Sequence, residues 1–149
     1  MNLLKPKFWD KNQISFFSVL LFPITLLIKF LVFFKVALTK KYESPIPIIC
    51  VGNIYLGGTG KTPLCIEIFS ILKNLDMNPA FIRKQYTNFQ DEIDLQKSIG
   101  PVYQSKQRIK AIQEAAKNNI NVAILDDGFQ DFSINKNLSI ICFSEKQWI

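Results

Sequence analysis

Residues 45–149 predict an α/β fold, a parallel sheet with flanking helices, preceded by an N-terminal membrane-associated helix. Three observations carry that expectation. Short apolar runs alternate with segments of helical period, the pattern of a doubly wound parallel sheet. A glycine-rich stretch, Tyr55-Leu56-Gly57-Gly58-Thr59-Gly60-Lys61-Thr62-Pro63, follows the first apolar run and precedes the first helical one. Ahead of both stands a largely apolar stretch from Ile14 to Leu38, whose only charges are Lys29 and Lys35.

Residues 1–13 are basic, with Lys5, Lys7 and Lys11 around Phe8 and Trp9. As a helix, Ile14–Leu38 would be about 37 Å long, enough to span or lie along a hydrocarbon core. Pro23 should kink it. It is apolar all round, unlike the single stripe of a surface helix. A cleaved leader and a buried core helix are the competing readings, but the run is long for a leader. Lys29 and Lys35 would snorkel to headgroups. Lys40 and Lys41 form a basic flank, which prefers the cytosolic side. Spanning and interfacial placements both remain open, and residues 1–44 are read as one membrane-associated segment.

Glu43-Ser44-Pro45-Ile46-Pro47 is a stiff linker into the domain of residues 45–149. A strand over 47–52 leads into the glycine-rich loop. A helix over 61–74 should turn Leu64, Ile68, Ile71 and Leu72 inward. Asp76–Pro79 turns the chain, and Ala80-Phe81-Ile82 is a strand ending at Arg83 and Lys84. Residues 85–100 read as polar and irregular, with Asp91, Glu92 and Asp94. Pro101–Tyr103 is a short strand. Ser105 is placed as the N-cap of a helix over 106–118, with Ile109, Ile112 and Ala116 inward. Asn121–Leu125 is an apolar strand ending in Asp126-Asp127-Gly128, and Leu138–Phe143 is a further strand.

Charge and composition narrow the chemistry. Of the net charge of +6, residues 1–45 carry seven Lys against two acids, so +5, leaving +1 for the rest. The basic excess therefore belongs to the N-terminal segment, which argues against nucleic acid as a partner. Cys50, Cys65 and Cys142 have no C-x-x-C spacing and read as small buried apolar side chains in a reducing compartment. Histidine is absent, so neither a His-ligated metal nor a Ser–His relay is available within this chain. Nothing in the residues fixes an oligomeric state.

Strand, glycine-rich loop and helix together make the setting of a phosphate-binding loop, and the domain reads as P-loop NTPase-like. Glycines allow positive φ and close backbone approach, so successive N–H groups converge on phosphate oxygens at a helix N-terminus. Lys61 would reach the β- and γ-phosphates of ATP, and the Thr62 hydroxyl would ligate Mg²⁺. The general pattern wants glycine at position 55, where this chain has Tyr55. An apolar strand ending in Asp126 places a carboxylate at the C-terminal sheet edge, where ligand sites of open α/β sheets lie. Asp126 or Asp127 would help hold the metal, and Gly128 would let the backbone turn sharply. Asp91-Glu92 and Arg108 read, on their own, as solvated surface charges.

Taken together, these residues resemble one family, the tetraacyldisaccharide 4′-kinases of lipid A biosynthesis in Gram-negative bacteria. The resemblance rests on Pro45-Ile46-Pro47, on Val51-Gly52-Asn53 and on the variant loop Gly57-Gly58-Thr59-Gly60-Lys61-Thr62-Pro63. It rests equally on Asp126-Asp127-Gly128-Phe129-Gln130 and on the apolar N-terminal helix. It accounts for the missing glycine at position 55. It implies transfer of the ATP γ-phosphate to the 4′-hydroxyl of a tetraacylated disaccharide 1-phosphate, at the cytoplasmic face of the inner membrane. By that resemblance Tyr55 through Thr62 bind ATP, and Thr62, Asp126 and Asp127 hold Mg²⁺. Lys61, Asp91 and Asp127 take catalytic roles, with Asp91 helping to activate the sugar hydroxyl. Glu92 and Arg108 are placed toward the substrate.

The chain departs from the family at Asp131, where a histidine is usual, and at Ile82-Arg83-Lys84-Gln85-Tyr86, where Ser-Arg-Gly-Tyr is usual. The family continues for a comparable length into a second lobe, so the chain is expected to be an N-terminal portion. Two other readings stand beside it. A partitioning-type membrane ATPase shares Gly-Gly-x-Gly-Lys-Thr but carries Lys where this chain has Leu56. The other is a remnant without activity.

Overall fold

The computed structural model describes residues 16–53, 60–85 and 90–143. Two compact units are present, a helical segment up to Thr39 and a sheet domain from Lys40 onward. The first contains α1 (Phe16–Leu38), with Pro23 inside it. Its stretch Val19–Leu38 has a mean hydropathy of 2.3 and is long and apolar enough to cross a membrane. Its large apolar side chains, Phe22, Phe30 and Phe33 among them, are exposed.

The sheet domain runs β1 (Ile48–Asn53), α2 (Lys61–Asn74), β2 (Pro79–Lys84), α3 (Gln90–Ile99), β3 (Val102–Ser105), α4 (Arg108–Lys117), β4 (Val122–Asp126) and β5 (Leu138–Cys142). The five strands are parallel in the order β3-β2-β4-β1-β5. The P-loop-like α/β architecture expected from the sequence is therefore present. Because side chains alternate across a strand, each strand feeds two cores. Ile48, Cys50, Ala80, Ile82, Ala123 and Leu125 pack with Ala111, Ile112 and Ala115 of α4. Val51, Phe81, Val122, Ile124 and Cys142 pack with Cys65, Phe69 and Leu72 of α2. The helices thus cover both faces, which is why β4 is buried along its whole length. Phe69 stacks on Phe81 with ring centroids 4.8 Å apart, fixing α2 over the sheet.

Three local expectations are corrected. Residues 90–99 form α3, where the sequence read as irregular. Its inward positions are Ile93 and Gln96, and Leu95 and Ile99 lie exposed, so the apolar residues trace no inward stripe. Gly100 ends it where the Phe69 ring leaves no space for a side chain. Ser105 belongs to β3 instead of capping a helix, and Gln107 is the N-cap of α4. On α2 Leu72 is buried as expected and Leu64 and Ile68 pack against the core, but the deepest positions also include Cys65 and Phe69, and Ile71 is exposed.

The three cysteines are free and buried. Burial pushes the Cys65 thiol far above its ordinary value of 9.0, with the Asp126 charge adding to the effect. Cys50 and Cys142 are raised for the same leading reason. A folded thiol that keeps its proton while the unfolded one ionises contributes stability that is full below pH 9.0 and is lost as pH rises toward the folded value. Above that pH, unfolding free energy is expected to fall by about 1.4 kcal/mol per pH unit for each such thiol. Urea titrations of wild type and Cys65→Val across the alkaline range check this. The variant should show a shallower decline, and parallel curves would disprove the linkage.

Candidate functional site

The site forms at the C-terminal edge of the sheet, around the end of β1, the start of α2 and the end of β4. Residues Tyr55, Leu56, Gly57, Gly58 and Thr59 lie outside the described residues. Gly60 is the N-cap of α2 with φ +76°, a left-handed conformation that favours glycine. Lys61 is therefore the first residue of the helix. Its Nζ donates to Asn53 Oδ1 at 2.9 Å and to Asp127 Oδ1 at 3.2 Å. Residues 66 positions apart in sequence thus face each other, with Thr62 next in the same helical turn.

The turn after β4 aims Asp127. The Asp127 N–H donates to Val51 O at 2.9 Å, extending the β1–β4 ladder by one bond. Asp127 itself takes φ 57°. The sharp turn is therefore made at Asp127, whereas the sequence assigned it to Gly128. Gly128 has another task, since a Cβ there would stand 3.0 Å from Leu125 and 3.1 Å from Cys50 Sγ. The left-handed turn is held from outside by Arg108, whose Nη2 donates to Asp127 O at 2.7 Å while Nη1 lies 3.6 Å from Asp131 Oδ2. Arg108 is buried, in contrast to the solvated charge its position at a helix start suggests. Phe129 lies over Gly52, and Lys136 Nζ donates to Phe129 O and Asp131 O, so the whole post-β4 loop is tied down.

Asp126 is the buried acid of the site. Its Oδ2 accepts from Gln96 Nε2 at 3.0 Å and lies 3.4 Å from Arg83 Nη2. Burial raises its carboxyl above the ordinary carboxylate range, opposed chiefly by Arg83. Glu92, expected near substrate, accepts from Arg83 Nη2 at 2.7 Å. Asp91 is exposed in the first turn of α3 and makes no hydrogen bond or ion pair among the described residues. The fold therefore gathers Lys61, Asp126 and Asp127, links Arg108 to the Asp127 backbone, and sets Asp91 and Glu92 on the adjoining helix. Sequence reasoning gave no role to Arg83 or Gln96. The one available signal was Arg83 itself, a charge near the end of a buried strand, as Asp126 is at the end of β4.

Residues 17–95 and 91–149 match the family model described as tetraacyldisaccharide-1-P 4′-kinase (LpxK). The chain belongs to this family. It is 44% identical over 149 residues to a tetraacyldisaccharide 4′-kinase of Pelagibacter ubique, covering 100% of this chain and 47% of that protein. It is 34% identical over 153 residues to the one from Aliarcobacter butzleri, covering 90% and 48%. The chain thus spans about half the length of the curated relatives it matches. Among solved structures, the "apo" form of LpxK from Aquifex aeolicus in complex with ATP superposes with a TM-score of 0.68. It is 26% identical, and the match covers 85% of this chain and 49% of that one. The resemblance seen in the loop and the Asp-Asp-Gly-Phe-Gln stretch is borne out by these matches.

Proposed function

We propose that this chain supplies the nucleotide-binding part of a tetraacyldisaccharide 4′-kinase, moving the γ-phosphate of ATP to the 4′-hydroxyl of an acylated disaccharide 1-phosphate. The observation that carries this is the seating of Lys61 in the first turn of α2, 3.2 Å from Asp127 and on the same sheet edge as buried Asp126. Placing positive charge at a helix N-terminus beside two acids suits a phosphate chain and its cation. The related LpxK structure holds ATP, and that supports ATP as the donor here.

The residues divide the work. Backbone N–H groups at Gly60 and the start of α2 bind phosphate oxygens, joined by the loop Tyr55–Thr59. Lys61 Nζ leaves Asp127 to neutralise charge developing on the transferred group. The Thr62 hydroxyl with the Asp126 or Asp127 carboxylate is a hard oxygen set that fits Mg²⁺ and would hold it. The ion would supply positive charge against the phosphates. Asp91, exposed on α3, orients or deprotonates the acceptor hydroxyl, with Glu92 next to it in the chain, and Arg108 on α4 is also assigned to the acceptor. The apolar helix α1 and its Lys40–Lys41 flank bring the site to a lipid substrate at the cytoplasmic face of the inner membrane.

The test uses the complete kinase that contains this chain, in anionic lipid vesicles with γ-labelled ATP, Mg²⁺ and the tetraacylated acceptor. Label on the acceptor is expected. Hydrolysis of ATP without labelled acceptor would overturn the kinase reading in favour of an ATPase.

A further inference from the structure

The nucleotide chemistry leaves one charged group at the sheet edge without a part. Arg83 is the penultimate residue of β2, with its side chain only 12% exposed. Its Nη2 donates to Glu92 Oε2 at 2.7 Å and stands 3.4 Å from Asp126 Oδ2. Its Nη1 donates to Gln96 Oε1 at 3.4 Å, and Gln96 Nε2 returns to the same Asp126 Oδ2 at 3.0 Å. Arg83, Gln96 and Asp126 close a ring, and Glu92 is its outlet to the surface. The ring joins β2, α3 and β4.

Fastening α3 does not by itself require such a ring. Buried ion pairs give little net stability over well-packed apolar residues, because desolvation offsets their attraction. What an apolar contact lacks is response to charge. One guanidinium nitrogen here serves two carboxylates, one buried beside the expected cation position and one a single residue from Asp91.

We propose that Arg83 is a positioning residue that couples Asp126 to the first turn of α3, so that a divalent cation arriving with nucleotide tightens the seating of Asp91. The inference rests on the nucleotide reading above. A cation drawn to Asp126 cancels that carboxylate's pull on Arg83 and repels the guanidinium. Its other charged partner, Glu92, then takes a larger share, and α3 closes onto β2. Arginine suits this because its planar fork holds Glu92, Gln96 and Asp126 at once, which a lysine ammonium cannot do in that geometry.

Amide hydrogen exchange on the full chain tests the coupling, read without nucleotide, with ATP and EDTA, and with ATP and Mg²⁺. In wild type, Mg²⁺ with ATP is expected to slow exchange across residues 90–99 roughly tenfold, whereas ATP with EDTA leaves it unchanged. Glu92→Gln changes a half-exposed side chain and keeps the buried ring. It should still bind nucleotide with Mg²⁺ yet lose the slowing, as should Arg83→Met. Exchange in α4 should be the same throughout. Equal slowing in Glu92→Gln and wild type, or none in wild type with nucleotide bound, would overturn the coupling alone. Failure of wild type to bind fluorescent ATP with Mg²⁺ would overturn the nucleotide reading and the coupling together.

Discussion

Lys61→Ala is expected to lower phosphoryl transfer by at least about a thousandfold, the scale set by removing a donor aimed at transition-state charge. The same change should scarcely alter folding. The Lys61–Asp127 pair is partly solvated, with the two side chains 22% and 59% exposed, and such pairs contribute about 0–1 kcal/mol. Asn53 Oδ1, its other partner, can turn to water. The variant thus separates chemistry from stability in one molecule. The measurements are the initial rate of acceptor labelling and the urea midpoint. A variant that transfers phosphate at the wild-type rate would remove Lys61 from the mechanism.

Two substitutions at Asp126 are expected to behave in opposite ways. Asp126→Ala leaves the Arg83 guanidinium buried with Glu92 as its remaining charge partner and Gln96 Nε2 with no acceptor. Removing one partner of a buried pair costs about 3–5 kcal/mol, so this variant should lose a large part of a small domain's stability. Asp126→Asn keeps an oxygen for Gln96 and Arg83 and should cost less than about 1.5 kcal/mol. It no longer offers a charge to a cation, so its ATP affinity should respond less to Mg²⁺ than that of wild type. Urea unfolding and nucleotide titration with and without Mg²⁺ read the two effects. An alanine variant as stable as wild type would show that the ring is dispensable.

The sequence made the local elements plain where a single signal dominated. Lys61–Asn74 was placed to the residue because a glycine ends the loop before it and a polar turn follows. Strand β4 was visible as an unbroken apolar run closing on an acid. Legibility failed where an inward position is not apolar. Helix α3 turns Gln96 toward the core, and Gly100 follows it, so a reader of apolar spacing finds no stripe. It failed again where partners are distant in the chain. Arg108 is buried against Asp127 O and Asp131, 19 and 23 residues away. Arg83 acquires its meaning from Glu92, Gln96 and Asp126, none of which its neighbours announce. On α2 apolar residues occupy most of the circumference, so Ile71 reads as inward although the sheet leaves it exposed and buries Cys65 and Phe69 beside Leu72.

The contact between Gly52 and Phe129 has a mechanical consequence. The ring fills the volume a side chain at residue 52 would claim, so the end of β1 and the loop after β4 are in van der Waals touch, and the Asp127 N–H bond to Val51 O spans the same junction. The spacing between the end of β1 and the loop after β4, one bank and the other of the site, is consequently built in as a fixed gauge. A shift of one bank must drag the other, and adaptation to reactants of different size falls to the adjoining helix.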